Sequence, residues 1–381
     1  MRVVPIHCVR PGTRLGKTIL SDSGNILLKQ GIDLTESLLT RLEGNRIYTV
    51  YVDDGYSNEE IREIIQPEVR QKAIQSIREV FTQIGKMATP QNSAHGENLK
   101  RQLMIKSMTK YLEALKGITA HLVDEILQNR SLMINLVDIK TYGNYIYEHS
   151  LNVAVLSMIL AVEARIPRNQ LQSIFTGALM HDVGKVMIPQ NICFKNGPFT
   201  EEEEVTMRTH PMLGYEYVKE NRSIDGFSKS IILQHHEHYD GTGFPRKTSG
   251  EYISRASRIV SIANAYVDMT SDTPQKRAAP PNEAMEYLMA SAGTEFDFQL
   301  IELFVRKIVP YPPGTLVRVN NQWTALVTAV SDNYPLRPKL RFLDPQSGEP
   351  GPNEVSLMEE KNLVITGVVF EDPRPKPTSA G

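Results

Sequence analysis

His181-Asp182-Val183-Gly184-Lys185 ends the apolar stretch Gln170–Met180, which reads as a helix. A neighbouring imidazole and carboxylate can share a metal ion, or the carboxylate can bridge two. Taken alone, such a dipeptide more often marks a helix end with a hydrogen-bonded histidine. Its meaning comes from the histidines around it. Of nine in the chain, His149, His181, His210, His235, His236 and His238 fall between 140 and 310. His149 heads the apolar helix Ser150–Ala161, and His210 precedes Pro211 after an acidic helix capped by Thr200-Glu201-Glu202-Glu203. His235-His236 close Ile231-Ile232-Leu233. Helical proteins build metal sites from inward side chains on several facing helices. Imidazole combined with carboxylate suits iron, manganese, nickel or zinc better than calcium or magnesium.

The order His149, then His181-Asp182-x-Gly184-Lys185, then His210-Pro211, then His235-His236-Glu237-x-x-Asp240-Gly241-x-Gly243-Phe244-Pro245 resembles the HD-GYP branch of the HD phosphohydrolases. The likeness covers about 140–310 and takes in Phe194-Lys195-Asn196-Gly197, Thr270-Ser271-Asp272 and Gly293-Thr294-x-Phe296-Asp297. It implies an all-helical domain with a buried metal site that hydrolyses the bacterial second messenger cyclic di-GMP to the linear dinucleotide or to GMP. Carried over by position, His149, His181 and Asp182 become ligands of a first metal, completed by the residue at Asn264. Asp182 bridges to a second metal held by His210, His235 and His236. The expected cofactors are two divalent transition-metal ions bridging a hydroxide that attacks phosphorus in line, with Lys185 offsetting charge on the phosphate oxygens. As a surface lysine at a helix end, Lys185 would need no such role. The resemblance also implies substrate contacts from Lys185, Asp240, Gly243, Phe244 and Lys276. Asp240-Gly241-Thr242-Gly243 is equally a tight loop in need of glycines.

The departures from the family pattern matter as much as the agreements. A third metal would need a glutamate one turn before the first histidine, where this chain has Tyr145; Glu148, about 100° around the helix from its neighbour, does not replace it. Two metals are therefore expected. In the helix Ser254–Met269, Asn264 stands where the family has an aspartate, and an amide oxygen brings no charge to a metal. Asp268 shares that face but lies about 6 Å further along the axis. After Thr270-Ser271-Asp272 the family's pair of cations is reduced to Lys276, with Thr273 and Gln275 in between. Phe244 keeps an aromatic face for a base but lacks the tyrosine hydroxyl. Arg246 beside it is placed for a phosphate contact. A second reading follows: a degenerate domain that binds a cyclic dinucleotide or a protein partner and signals without turnover.

The rest of the 381 residues flanks this region. Residues 1–55 read as a small α+β module, with hairpin grammar around Thr18-Ile19-Leu20 and Ile26-Leu27-Leu28, a helix Thr35–Glu43 and a strand Ile47–Val52. Residues 56–139 form a helical connector. It opens on the capping box Ser57-Asn58-Glu59-Glu60, runs through Val69, Ala73, Ile77, Val80, Phe81 and Ile84, breaks over Gly85–Asn98, and resumes from Leu99 towards Val137 with an interruption near Gly117. Unbroken, the second part would be a rod of about 55 Å suited to a homodimer. Residues 311–370 read as a small β module, of the size of a small barrel, packed against the helices, and 371–381 as a disordered tail.

The fold class expected is mainly α: an all-helical HD-GYP domain between a small α+β N-terminal module and a small β-rich C-terminal module. A hydrophobic fraction of 41%, a charged fraction of 23% and a net charge of −2 give no field for nucleic acid or an anionic membrane. The longest apolar run, Val153–Val162, is about half the length of a spanning helix, and the N-terminus lacks a signal-peptide pattern. Cys8 and Cys193 cannot form a disulfide framework. A cytoplasmic protein with a cyclic dinucleotide substrate and signalling partners is expected.

Overall fold

In the computed structural model of the protein, the described residues are 1–20, 25–45, 47–56, 65–88, 113, 117–128, 145–273, 275–331 and 334–375. The capping box at 57–60 and most of the stretch from Leu99 to Val137 lie outside them.

The N-terminal module is a four-stranded antiparallel sheet in the order β1-β6-β2-β5, built from Arg2–Pro5 (β1), Thr13–Leu15 (β2), Asp33–Leu34 (β5) and Thr49–Asp53 (β6). The expected hairpin is present as β3 (Ile19–Leu20) against β4 (Ile26–Leu28). Helix α1 (Glu36–Gly44) starts at Thr35, whose hydroxyl accepts the Leu38 N–H, and buries Leu39 and Leu42 against the sheet.

Helix α2 (Pro67–Ala88) carries Ala73, Ile77, Val80, Phe81 and Ile84 on its buried face, as the periodicity predicts. It runs past Gly85, where the sequence suggests a break. A helix tolerates one glycine, and here Gly85 lies beside Val186 with room for a Cβ at ordinary contact distance. Residues 117–128 form helix α3, with Leu122 and Ile126 buried.

The helical domain is organised around α4 (Tyr145–Glu163), buried continuously from Glu148 to Ala161. A helix apolar on all sides belongs at the centre of a bundle. It is long and apolar enough to cross a membrane by length and composition, yet 83% of the apolar window is buried inside the fold. Against it pack α5 (Arg168–Met180) and α10 (Arg255–Met269); α9 (Gly226–Gln234) packs on α5 and α10, and α8 (His210–Val218) packs on α9. The short α6 (Gln190–Cys193) and α7 (Glu201–Met207) lie between α5 and α8, and α11 (Pro281–Ala290) and α12 (Phe298–Val305) close the domain. Burying one Leu or Ile is worth about 1.5–3 kcal/mol, so this apolar cluster dominates the domain's stability. It also fixes the helix ends that carry the histidines.

The C-terminal module is a five-stranded antiparallel sheet in the order β10-β9-β8-β7-β11, made from β7 (Leu316–Val319), β8 (Trp323–Ser331), β9 (Tyr334–Phe342), β10 (Val355–Ser356) and β11 (Ile365–Val368). It is an open sheet with β10 and β11 at its edges, not a barrel. Strand β9 begins at Tyr334, earlier than expected, because Pro335 and Pro338 sit in a strand whose outer neighbour, β10, pairs only at Lys339 and Leu340.

This sheet is tied to the N-terminal module, where packing against the helices was expected. Tyr56 shares a cluster with Leu316, Leu326 and Leu343, and its hydroxyl donates to Gly348 O at 2.9 Å. The expected disorder from Glu371 onward does not hold for 371–375. The Arg374 guanidinium lies 4.6 Å from the Tyr56 ring centroid and donates to Asp54 O at 2.7 Å. Arg2 donates to Val369 O, Phe370 O and the Asp54 carboxylate. Buried backbone carbonyls that find charged donors hold this end of the chain in place.

Candidate metal centre

Four helix ends, a 3-10 turn and one helix interior deliver the site. His149 lies in the second turn of α4, which starts earlier than the apolar pattern suggests because Tyr145 and Ile146 are already helical. His181 ends α5, and Asp182 leads directly into a 3-10 turn, Val183–Met187, that carries Lys185. The acidic α7 is capped by a box between Thr200 and Glu203, and His210 then opens α8 with Pro211 in its first turn. His235 ends α9 and His236 follows. Asn264 comes from the middle of α10.

Two glycines let these elements meet. A Cβ on Gly184 would stand 1.9 Å from His210 O, and one on Gly243 would stand 2.2 Å from His238 N. Neither position has room for a side chain.

Asp182 is 1% exposed and sits at the centre. Its Oδ1 faces His210 Nε2 at 3.2 Å and His235 Nε2 at 3.9 Å. Its Oδ2 faces His181 Nε2 at 3.4 Å and His149 Nε2 at 3.7 Å, and accepts from Lys185 Nζ at 2.6 Å. Two ligand groups therefore share one carboxylate: Asp182 with His210, His235 and His236, and Asp182 with His149 and His181. Asn264 joins the second group, its Oδ1 lying 2.9 Å from His149 Nε2.

The donor set fits divalent metal. His181, His210 and His235 each turn Nδ1 to main-chain carbonyls, at 2.7 Å to Ala178 O, 2.8 Å to Met207 O and 3.1 Å to Ile232 O. A carbonyl only accepts, so the proton resides on Nδ1 and each Nε2 offers its lone pair inward. The Nε2 atoms of His210 and His235 then stand 3.2 Å apart, lone pair towards lone pair, a contact that a shared cation would relieve. Asp182 Oδ1 and His181 Nε2 are buried without a hydrogen-bond partner. Such orphaned acceptors are costly unless something satisfies them.

Burial sets the protonation states. It pushes the His149 imidazole down to about 3 and lowers His210, His235 and His236 as well, so these rings are neutral ligands near neutral pH. Burial alone would raise the Asp182 carboxyl, but the neighbouring His181 ring and the Lys185 ammonium hold it well below the ordinary range. The Lys185 ammonium, which burial would weaken, is kept charged by Asp182. Burial raises the Tyr145 phenol to about 12, leaving a neutral hydroxyl beside the centre.

The expected substrate contacts are more dispersed. Asp240 accepts the N–H and hydroxyl of Thr242, so its carboxylate is occupied in shaping its own loop. Lys276 is paired with Asp268 at 2.6 Å on the outer part of α10. Gln275 donates to Lys195 O at 3.0 Å, bracing the Phe194–Gly197 segment. Phe244 stacks on His236 with centroids 4.7 Å apart and planes at 16°, so one ring face is taken. The Arg246 guanidinium rests 5.6 Å from the Tyr215 ring centroid.

Two residues escape the sequence reading. Glu237, 2% exposed, accepts the N–H of Arg246 at 2.7 Å and of Thr248 at 2.9 Å, stapling the glycine loop to the end of α9. Arg208, two residues before His210, pairs with Glu204 and reaches to 5.4 Å from the Phe244 ring centroid. Their signals were a carboxylate next to the paired histidines and a cation next to a ligand; neither specifies a role without the loop geometry.

A family profile described as "HD domain" matches residues 122–300. The helical unit is similar to HD domains, in keeping with its run of histidines around Asp182. A cyclic di-GMP phosphodiesterase of Pseudomonas aeruginosa is 33% identical to the chain over 245 residues, 62% of this chain and 59% of that protein. A cyclic di-GMP phosphodiesterase response regulator of Xanthomonas campestris is 35% identical over 150 residues, 39% of each. A 3'3'-cGAMP-specific phosphodiesterase of Vibrio cholerae is 29% identical over 207 residues, 53% of this chain and 46% of that protein. The chain thus spans about 60% or less of the length of these relatives. Among solved structures, an HD-GYP-type protein from Bdellovibrio bacteriovorus matches 80% of this chain and 97% of its own, at 20% identity and a TM-score of 0.44.

Proposed function

We propose that the HD domain hydrolyses a cyclic dinucleotide, with cyclic di-GMP opened to the linear dinucleotide or to GMP. The observation that carries this reading is the convergence of inward imidazole nitrogens on the two oxygens of Asp182. The relatives named as phosphodiesterases of cyclic di-GMP and 3'3'-cGAMP supply the substrate class.

The residues that would hold divalent transition metal (iron, manganese, nickel or zinc) form two sets: His210, His235 and His236 with Asp182 Oδ1, and His149, His181 and Asn264 with Asp182 Oδ2. Bound there, such ions supply Lewis acidity towards a phosphoryl oxygen and lower the pKa of water. The chain's own residues do the rest. Lys185, charged and anchored on Asp182, offsets negative charge on the phosphodiester. Arg208 offers a second cation at the rim, and the neutral Tyr145 hydroxyl can donate without adding charge. Asp182 stays ionised, and the apolar packing around α4, α5 and α9 keeps bulk water from the ligands' far sides.

One observation favours the second reading, a binding module without turnover: Asn264 is already engaged by His149, so that ligand set carries no carboxylate of its own. We infer a reducing, cytoplasmic setting from the free thiols Cys8 and Cys193. Purified protein supplied with Mn²⁺ and given cyclic di-GMP or 3'3'-cGAMP separately should yield linear product, lost in Asp182→Ala. Tight dinucleotide binding with no product under any metal would replace hydrolysis with the module reading.

A further inference from the structure

The two ligand sets around Asp182 are unequal, and the inequality lies in residues of this chain. On the Oδ1 side the carboxylate oxygen is buried and unpartnered. Two imidazole nitrogens approach it, those of His210 and His235, with His236 completing the group. With Nδ1 given to main-chain carbonyls, His210 and His235 each present an Nε2 lone pair to this side. On the Oδ2 side the same carboxylate is already bound by the Lys185 ammonium at 2.6 Å, and His149 Nε2 is already hydrogen-bonded to Asn264 Oδ1 at 2.9 Å. Only His181 Nε2 remains unpartnered on that side.

We propose that Lys185 serves as the built-in counter-cation of the Oδ2 lobe, so that the chain holds one divalent ion tightly in the Oδ1 lobe and a second only weakly. The inference rests on the proposed metal-dependent function and deepens it. A divalent ion entering the Oδ2 lobe must displace or face an ammonium that touches the same oxygen, and like charges a few ångströms apart repel strongly at low dielectric. It must also break the His149–Asn264 hydrogen bond to gain a neutral amide oxygen. The Oδ1 lobe imposes neither cost. Asp182 is the one carboxylate in both ligand groups among the described residues, so its single charge cannot neutralise Lys185 and a second divalent ion together. The expected gap in affinity is about tenfold or more.

Full-length protein stripped with chelator and titrated with Mn²⁺ reads this directly, by calorimetry and by the electron paramagnetic resonance of the bound ion. The expected result is about one tight equivalent with a mononuclear signal, and a second equivalent at least about tenfold weaker. Asn264→Asp and Lys185→Met should each strengthen the weak step and bring in the spin-coupled signal of an ion pair at lower Mn²⁺. Two equivalents of like affinity in the unaltered protein, or a weak step unmoved by both substitutions, would overturn the inference while leaving metal-dependent hydrolysis intact. No bound Mn²⁺ at all would overturn the inference and the hydrolase reading together.

Discussion

Gly184 and His210 touch through their backbones, so closely that a Cβ on the glycine would meet the His210 carbonyl oxygen at 1.9 Å. This contact sets the distance between the turn carrying Asp182 and Lys185 and the start of α8. Gly184 thereby acts on the centre without offering a ligand atom. Gly184→Ala is expected to cost at least about 3 kcal/mol, because backbone on both sides must move. Thermal unfolding should record the loss, and the surviving folded fraction should bind Mn²⁺ less tightly. Unchanged melting and metal affinity would show that the turn and α8 can separate freely.

Acid should unfold the metal-free protein early. The imidazoles of His149, His210, His235 and His236 are held below their ordinary value by burial, so in the folded chain they stay neutral. In the unfolded chain they take up protons at about 6.5. Below that pH the unfolded state binds more protons, and stability present above about 6.5 is lost as pH falls towards the folded values. Each ring contributes at most about 1.4 kcal/mol per pH unit of descent. Urea midpoints of chelator-stripped protein should therefore drop steeply between pH about 6.5 and about 5. Added Mn²⁺ should shift the drop to lower pH, because metal competes with protons for the same nitrogens. A midpoint independent of pH across this window would contradict neutral burial of these rings.

Glu237 predicts a separable effect on the loop. With its carboxylate removed in Glu237→Ala, the N–H groups of Arg246 and Thr248 lose their acceptor, at about 1–3 kcal/mol each where no water replaces it. Amide hydrogen exchange should then rise across 240–250 before it rises in α9, and Glu237→Gln, which retains one acceptor oxygen, should show a smaller change. Equal exchange in all three proteins would assign the loop's order to its glycines alone.

The cluster around Asp182 was legible because the residue types able to bind metal are few. Few side chains can do the work of His181 and Asp182, so their positions stand out in a chain with nine histidines. The bundle was legible for a similar reason: Ala73, Ile77 and Phe81 leave a periodic trace, and so does the unbroken apolar run of α4. Contacts made through backbone atoms leave no such trace. Arg374 donating to Asp54 O, Arg2 to Phe370 O and Glu237 accepting two N–H groups depend on where remote chain segments arrive. A proline-rich tail looks the same in sequence whether or not a carbonyl and a tyrosine face await it. Lys276 misleads in the opposite direction: its charge suggested a phosphate contact, while Asp268, eight residues earlier near the end of α10, engages it.

Arg208 offers a test of how the rim reads substrate. Its guanidinium lies 5.4 Å from the ring centroid of Phe244, which also stacks on His236, and its ion pair with Glu204 is exposed and weak. Holding it there costs little, and releasing it towards a phosphate costs equally little. Of the basic residues expected to meet substrate, Lys276 is engaged by Asp268 and Arg246 rests on Tyr215. Arg208 is therefore the cation best placed to meet the second phosphate of a cyclic dinucleotide whose first phosphate lies at Lys185. Arg208→Ala should raise KM for cyclic di-GMP about tenfold with kcat changed less than about threefold, since the contact exists in both ground and transition states. Hydrolysis of a small monoanionic phosphodiester such as bis(4-nitrophenyl) phosphate should be unaffected, and melting should stay where it was. A fall in kcat with KM unchanged, or equal losses on both substrates, would place Arg208 in the support of His210 instead of at the substrate.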